Sequence, residues 1–560
     1  MLQIASSASD GVVLKAAHLN RNQGGGCADV RGAFPEKLHT DSKAIIYPAN
    51  GKAKEALLND KKAELRPVRG SALRQVLVAF VANVGTINTG MVFGFSAVAI
   101  PQMEMPNSTL PINEEQASWI ASLSSISTPI GCLLSGWLMD ALGRRAALLL
   151  VEVPLLVGWL LIAMAYNLPL LYAGRLFVGL GSGLVGAPAR VYTAEATQPH
   201  LRGMLSALAS LGVSFGVLMM YALGACLPSW RHSAGVSAAV PLVALVLAAV
   251  AAPETPSWLI SHGRTKEARC SLARLRGDVC DLDGELDQLA RGSSISAGVG
   301  KSRSQMAPLT VEPQEPEPLL KALFKKSSLW PLGMLVSYFV IYQFSGVNAV
   351  TFYAVEVIRT AGIGGGGDGD YLTAVGMGAV RLAATAAACV LMRRMGRRPL
   401  TLISSIGCGV TMLGLAGSLA YLPPGENFSA ASWLPIICLF GFTITSTLGY
   451  LVVPWVMIGE VFPTRVRGIL GGVTTCAAHL SVFIVVKTFP FLQHLLTRPG
   501  AFCFYGCVSL LGSIFFATLL PETKGRTLQE IEDYFSGLTP TLGPTKTKEV
   551  AKDLKGPALI

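Results

Sequence analysis

Arginines and carboxylates recur in this chain twice, in one order. Asp140, Gly143, Arg144 and Arg145 are followed by Glu195, by Arg202 seven positions later, and by Glu254 within Pro253-Glu254-Thr255. Gly396, Arg397 and Arg398 are followed by Glu460, by Arg467 at the same spacing, and by Glu522 within Pro521-Glu522-Thr523. Glu195 closes one apolar block and Arg202 opens the next, with Pro199 between them; Glu460, Pro463 and Arg467 repeat this. Local helix electrostatics oppose such placement, because a helix C-terminus repels a carboxylate and an N-terminus repels a cation. Partners on neighbouring helices are therefore expected: a network of Arg–carboxylate bridges within each half, with Gly143 and Gly396 making tight turns. Bridges closed in one state and broken in another form a bistable latch. The plainer reading, arginines as topology signals in solvated loops, leaves the twice-placed Glu and Pro unexplained.

A second group of polar residues lies inside an apolar block. Tyr342-Gln343-Phe344-Ser345-Gly346-Val347-Asn348 runs on through Thr351 to Tyr353, and a later block holds Gly449, Pro454 and Trp455. Amides and hydroxyls in such a segment are costly unless they face protein or a wet cavity. Groups that both donate and accept, beside a large ring, suit a neutral polyhydroxylated solute. Singly, Asn348 or Trp455 reads as interhelical packing; together they point to a cavity.

The elements that position these residues follow from composition. The chain is 51% hydrophobic and only 14% charged over 560 residues, more apolar material than one soluble core buries. Apolar stretches of about 20 residues, long enough to cross a bilayer as helix, fall six between 76 and 252 and six between 329 and 520. The expected fold is an all-α membrane protein of twelve transmembrane helices in two pseudo-symmetric six-helix bundles. Residues 1–70 read as a tail, 71–260 as the N-terminal bundle, 261–328 as a central loop, 329–522 as the C-terminal bundle and 523–560 as a second tail. The first tail lacks the apolar core of a secretory signal, so the first span is expected to direct insertion.

Lys and Arg concentrate in both tails, the central loop and the cassette joints, which are therefore expected in the cytoplasm; the membrane is expected to be the plasma membrane. The net charge of +11 needs no nucleic acid, since anionic headgroups are its ordinary partner. Asn107 and Asn427 begin the two Asn-x-Ser/Thr sequons; both fall in outside joints and are candidate glycosylation sites. The cysteines lack metal-ligand spacing, and neither metal nor cofactor is implied. No nucleophile elbow, zinc motif or phosphate loop suggests an enzyme. Oligomeric state is not legible.

Taken in order, Asp140-x-x-Gly143-Arg144-Arg145, Arg175, Tyr192, Glu195, Arg202-Gly203, Pro253-Glu254-Thr255, Gln343-x-Ser345-Gly346-Val347-Asn348, Pro454-Trp455, Glu460, Arg467-Gly468 and Pro521-Glu522-Thr523 resemble the signatures of the sugar porter family of the major facilitator superfamily. The resemblance covers residues 75 to 535. Gln198-Pro199-x-x-Arg202-Gly203, Gln343-Phe344-Ser345-Gly346 and Val485-Val486-Lys487-Thr488-Phe489 look most similar to the insect facilitated trehalose transporter group. The resemblance implies facilitative sugar transport, trehalose or a hexose foremost, through a cavity opening alternately to either side. It also implies a sugar site lined by Gln343, Asn348 and Trp455, to which Tyr342 and Tyr353 are added as neighbours. It further implies cytoplasmic charges that latch the outward-open state, and amphipathic helices in the central loop, where Thr265 to Gly277 has suitable spacing.

Several positions depart from that pattern. Tyr342 stands where the first of two adjacent glutamines is usual, Ser210 where a glutamine is usual, and Ala478 where an asparagine is usual; Leu451 and Val452 alter the tenth-span Gly-Pro element. Hexose specificity therefore does not carry over. Arg381 falls midway along the eighth span, where an arginine costs about 2.5–3.5 kcal/mol on insertion scales. It either attracts an anionic or strongly polar substrate, or is held by a structural pair or by hydrogen bonds to helix carbonyls. Arg393 stands where the second cassette ordinarily begins with aspartate, so the C-terminal latch is expected to lack one bridge and be looser. The first span, Gly85-Thr86-Ile87-Asn88-Thr89-Gly90, has no acid, which favours passive facilitation over proton coupling. Alternatives are a proton-coupled or organic-anion carrier using Arg381, and a nutrient sensor that binds without carrying; the residues after 525 are few for a signalling tail.

Overall fold

A computed structural model describes residues 70–277, 282–296, 319–421, 433–463 and 466–539. In hydrocarbon no water satisfies exposed peptide groups, so long apolar runs pair their backbone internally as helix. The first half comprises Ala72–Met103, Glu114–Leu142, Arg144–Ala163, Leu168–Ala196, Pro199–Cys226 and Trp230–Ala251. The second opens with a seventh crossing in three pieces, Lys326–Phe344, Val347–Phe352 and Ala354–Thr360. Asp368–Met395, Arg398–Tyr421, Trp433–Val461 and Arg467–Leu519 follow. The last run is two crossings, because Thr497 is non-helical with φ 67°. Its first part lies along the second span, with Lys487 against Ser118 and His494 against Glu114, and its second part meets the ninth span through Ser509 and Ser405. The described chain is thus all-α, with twelve crossings, six in each half, as the sequence led us to expect. Apolar residues such as Trp137, Val250 and Leu511 are exposed on the outside of the bundle, where lipid replaces water.

Local sequence sets the ends and breaks. Asn113 forms a capping box with Gln116 at the start of the second span, and Asn167 caps the fourth. The seventh crossing breaks at Gly346, whose φ is 86° and where a Cβ would lie 2.9 Å from the Tyr505 ring. The tenth breaks at 449–452, beside the expected Gly449 and Pro454.

The spans end on two faces. One carries both cassettes; the other carries Asn107, which is exposed, while Asn427 lies outside the described residues. On the cassette face, helix Thr265–Arg276 is tied to the first half by Arg276, which donates to the Ala196 carbonyl at 2.7 Å. Helix Leu528–Ser536 packs on the seventh and tenth crossings.

Within the first half, the second and fourth spans approach through small residues. An added Cβ at Gly179 or Gly183 would lie 2.1 Å from the carbonyl oxygen of Ser124 or Thr128, respectively. Gly179→Ala is therefore expected to lower the thermal unfolding midpoint of the purified protein, at a cost of about 1–3 kcal/mol. Gly417→Ala, at a position with nothing within 4 Å, should cause no loss, and equal midpoints for the two variants would reject close packing as the reason.

Candidate functional site

The two cassettes share most of their contacts. The helix beginning at Arg144 presents free amides, and Glu254 accepts from the backbone N–H of Arg144 at 2.8 Å and of Arg145 at 3.1 Å. Glu522 does the same for Arg397 at 3.0 Å and Arg398 at 3.0 Å. A carboxylate at a helix N-terminus is favoured by hydrogen bonding and by the dipole together. Gly143 and Gly396 make this possible. Their φ values are 93° and 102°, and a Cβ at either would lie 2.5 Å from the capping carboxylate.

Each half also holds one Arg–Glu bridge. Arg144 reaches Glu195 at 3.2 Å and Asp140 at 3.3 Å, while Arg397 reaches Glu460 at 3.1 Å. Thr255 and Thr523 each donate to the bridging carboxylate at 2.6 Å, a role the sequence reading did not assign. The carboxylate bridges of Arg144 and Arg397 both run within a half. Arg397 has one acidic partner where Arg144 has two, because Arg393 occupies the position equivalent to Asp140.

For the other four arginines the expected carboxylate partners give way to carbonyls. Arg145 donates to Ala249 and Arg398 to Ala517, at the ends of the sixth and twelfth spans. Arg202 donates to Thr197 at 3.5 Å and Arg467 to Phe462 at 3.1 Å, each capping the helix before its own. Helix C-terminal carbonyls lack intrahelical partners and carry partial negative charge, so a guanidinium is well placed there.

Between the halves lies a cavity of about 510 Å³. Tyr342, Gln343, Asn348, Arg381 and Trp455 all line it. Asn348 Nδ2 donates to the Gln343 side-chain Oε1, and Trp455 packs against Phe339 with ring centroids 5.0 Å apart. Ser210, Ala478 and Leu451, three of the departures noted above, line it too, so the substitutions reshape the cavity itself; Val452 is buried elsewhere. Tyr353 does not belong to this lining. It lies past the Gly346 break with its hydroxyl on the Val486 carbonyl and its ring against Phe489.

The cavity reaches the cassette face at Met139, Val191, Gly459 and Gly468. At the other face the halves are tied together. Tyr221 donates to the Thr351 carbonyl at 2.7 Å, Lys487 to Ser118 at 2.8 Å, and His494 meets Glu114 at 2.6 Å.

Arg190 and Glu152, both charged and within spans, are among the residues that escaped the sequence reading. Arg190 lines the cavity with its guanidinium 5.4 Å from the Trp455 ring centroid. Glu152, in the third span, is buried against Gly85 at the break in the first, and its Oε2 has no hydrogen-bond partner. An ionisable residue inside an apolar run was the available signal for both.

Helical halves around a shared cavity, with matching charge clusters at one face, define a two-bundle membrane carrier. The model of the sugar (and other) transporter family matches residues 78–535, and the chain belongs to that family. It is 31% identical to the facilitated trehalose transporter Tret1 of Apis mellifera ligustica, over 89% of this chain and 95% of that one. It is likewise 31% identical to Tret1 of Bombyx mori, over 85% and 89%. Among solved structures, the proton:xylose symporter XylE bound to 6-bromo-6-deoxy-D-glucose superposes with a TM-score of 0.65 at 22% identity, over 83% of this chain and 99% of that one. The inward-open xylose transporter XylE from E. coli gives 0.64 at 21%, over 82% and 99%. The protein is an integral multi-pass membrane transporter and not an enzyme.

Arg144→Ala strips Glu195 and Asp140 of their cation and should cost about 1–3 kcal/mol of stability, with Arg397→Ala costing less. Thermal unfolding of both purified variants checks the order, and equal losses would overturn the asymmetry.

Proposed function

We propose that the protein facilitates passage of a sugar or similar polyhydroxylated solute by alternating access, with Gln343, Asn348, Tyr342 and Trp455 contacting the solute. The observation that carries this is one cavity, lined by both halves, that joins amides and an aromatic ring in mid-membrane to the cassette face. The Lys/Arg bias makes that face cytoplasmic, so the described state opens inward. The within-half bridges keep each bundle rigid, while the ties at the opposite face are those that must break when the cavity opens outward. The family and the names of the relatives make trehalose and hexoses the first solutes to test.

Counterflow of trehalose and glucose in proteoliposomes is expected to be saturable, and Asn348→Ala or Trp455→Ala should lower it about tenfold or more, the equivalent of one good contact. Binding without flux would favour the sensor reading. Uptake should persist after the pH gradient is collapsed. If it fails and Glu152→Gln abolishes the dependence, the protein is proton-coupled through the third span instead.

A further inference from the structure

Arg175 and Arg381 are both buried within spans, and they are satisfied in opposite ways. Arg175 donates from Nε to the Ile120 carbonyl at 2.8 Å, from Nη1 to Val92 at 3.3 Å, and from Nη2 to Ser96 and Ser124 at 3.0 Å each. It is a structural clamp, and it does not line the cavity. Arg381 is 6% exposed and makes one bond, from Nη1 to Thr351 Oγ1 at 2.9 Å. Its Nε and Nη2 have no partner, and these are the parallel N–H pair with which a guanidinium grips a carboxylate. Among the described residues Arg381 has no carboxylate partner, and its one hydrogen bond, to Thr351, leaves the fork unused.

The surroundings add charge of the same sign. The cavity is lined by Arg190 and Arg381 and, among the described residues, by no Asp or Glu. A smaller space on another side of Arg381, bordered by Tyr221, Thr351 and Thr443, holds no acid either. Arg190 is exposed to solvent through the cavity, whereas Arg381 is a buried cation without an acidic partner among the described residues, a costly state that an arriving anion relieves. A neutral sugar satisfies Gln343 and Asn348 but leaves the buried Arg381 charge uncompensated.

We propose that the transported solute is an anionic polyhydroxylated molecule, a sugar acid whose carboxylate is held by Arg381, with Arg190 adding to the field, and whose hydroxyls meet Gln343 and Asn348. This rests on reading the cavity as the transport site and narrows its substrate class.

The test uses the purified full-length protein in proteoliposomes, with glucuronate, glucose, trehalose and glucose 6-phosphate as probes. Glucuronate should be preferred over glucose by about tenfold or more, the scale of a charge-assisted pair. An imposed inside-negative potential should slow its entry but not that of glucose. Arg381→Gln should remove most glucuronate uptake, and Arg381→Lys, which keeps the charge without the fork, should restore part of it. Thermal unfolding checks that both variants fold; if either does not, the wild-type preference and its potential dependence decide the matter alone. Trehalose or glucose moving while glucuronate is excluded overturns the anionic class and leaves sugar transport standing. Glucose 6-phosphate moving in place of glucuronate overturns the carboxylate. If no probe moves or raises the unfolding temperature, both this inference and the transport reading fall.

Discussion

A helix that ends near a membrane surface leaves four amides or four carbonyls without partners, and this protein has many such ends crowded onto one face. The repeated charges pair them. Glu254 and Glu522 take the amides that open the third and ninth spans, while Arg145, Arg398, Arg202 and Arg467 take carbonyls that close the sixth, twelfth, fourth and tenth. Each charge sits at the dipole end that favours it, once the helix it serves is recognised as a neighbour's and not its own. Arg144 with Glu195 and Thr255, and Arg397 with Glu460 and Thr523, then lock adjacent helix ends together.

Rigid halves follow from this, and so does the possibility of moving them. The bridges, together with glycine contacts such as Gly179 on Ser124, hold helices within a bundle. Away from the cassettes, the halves pack the second span on the eleventh and the fifth on the eighth, with hydrogen bonds and ring contacts such as Tyr221 with Thr351 and Trp119 with Phe483, but no Arg–carboxylate bridge among the described residues joins them. A difference of that kind lets one bundle tilt against the other without unpacking either.

The low dielectric that makes helix ends demanding also gives the cavity its character. Trp159 spends its indole N–H on Asn88, and the Ser214 and Thr385 hydroxyls satisfy one another between spans of the two halves. Among the buried polar atoms left unpaired, which include Asn88 Nδ2 and Ser182 Oγ, are some of ionisable groups inside the spans, such as the Arg381 fork beside the cavity and the Glu152 carboxyl beside the first-span break. A buried polar group without a partner calls for a reason, and a functional role is one such reason.

The sequence by itself determined the architecture. Twelve apolar runs of membrane length, the order of the duplicated cassettes, and the glycines at 143, 346 and 396 are properties of local composition and backbone freedom, legible without knowing any neighbour. It also brought Gln343, Asn348, Tyr342, Trp455 and Arg381 forward as candidates, and all five border one cavity. Only the tertiary structure decided what each charge touches. That Arg145 meets a carbonyl and Arg144 a carboxylate, that Tyr353 turns toward Phe489 and away from the cavity, and that Arg190 enters it, all depend on how each helix is rotated and which helix lies beside it. In a bundle bathed in lipid, a span that is apolar on every side carries little record of which face looks inward, so that rotation emerges only when the helices pack.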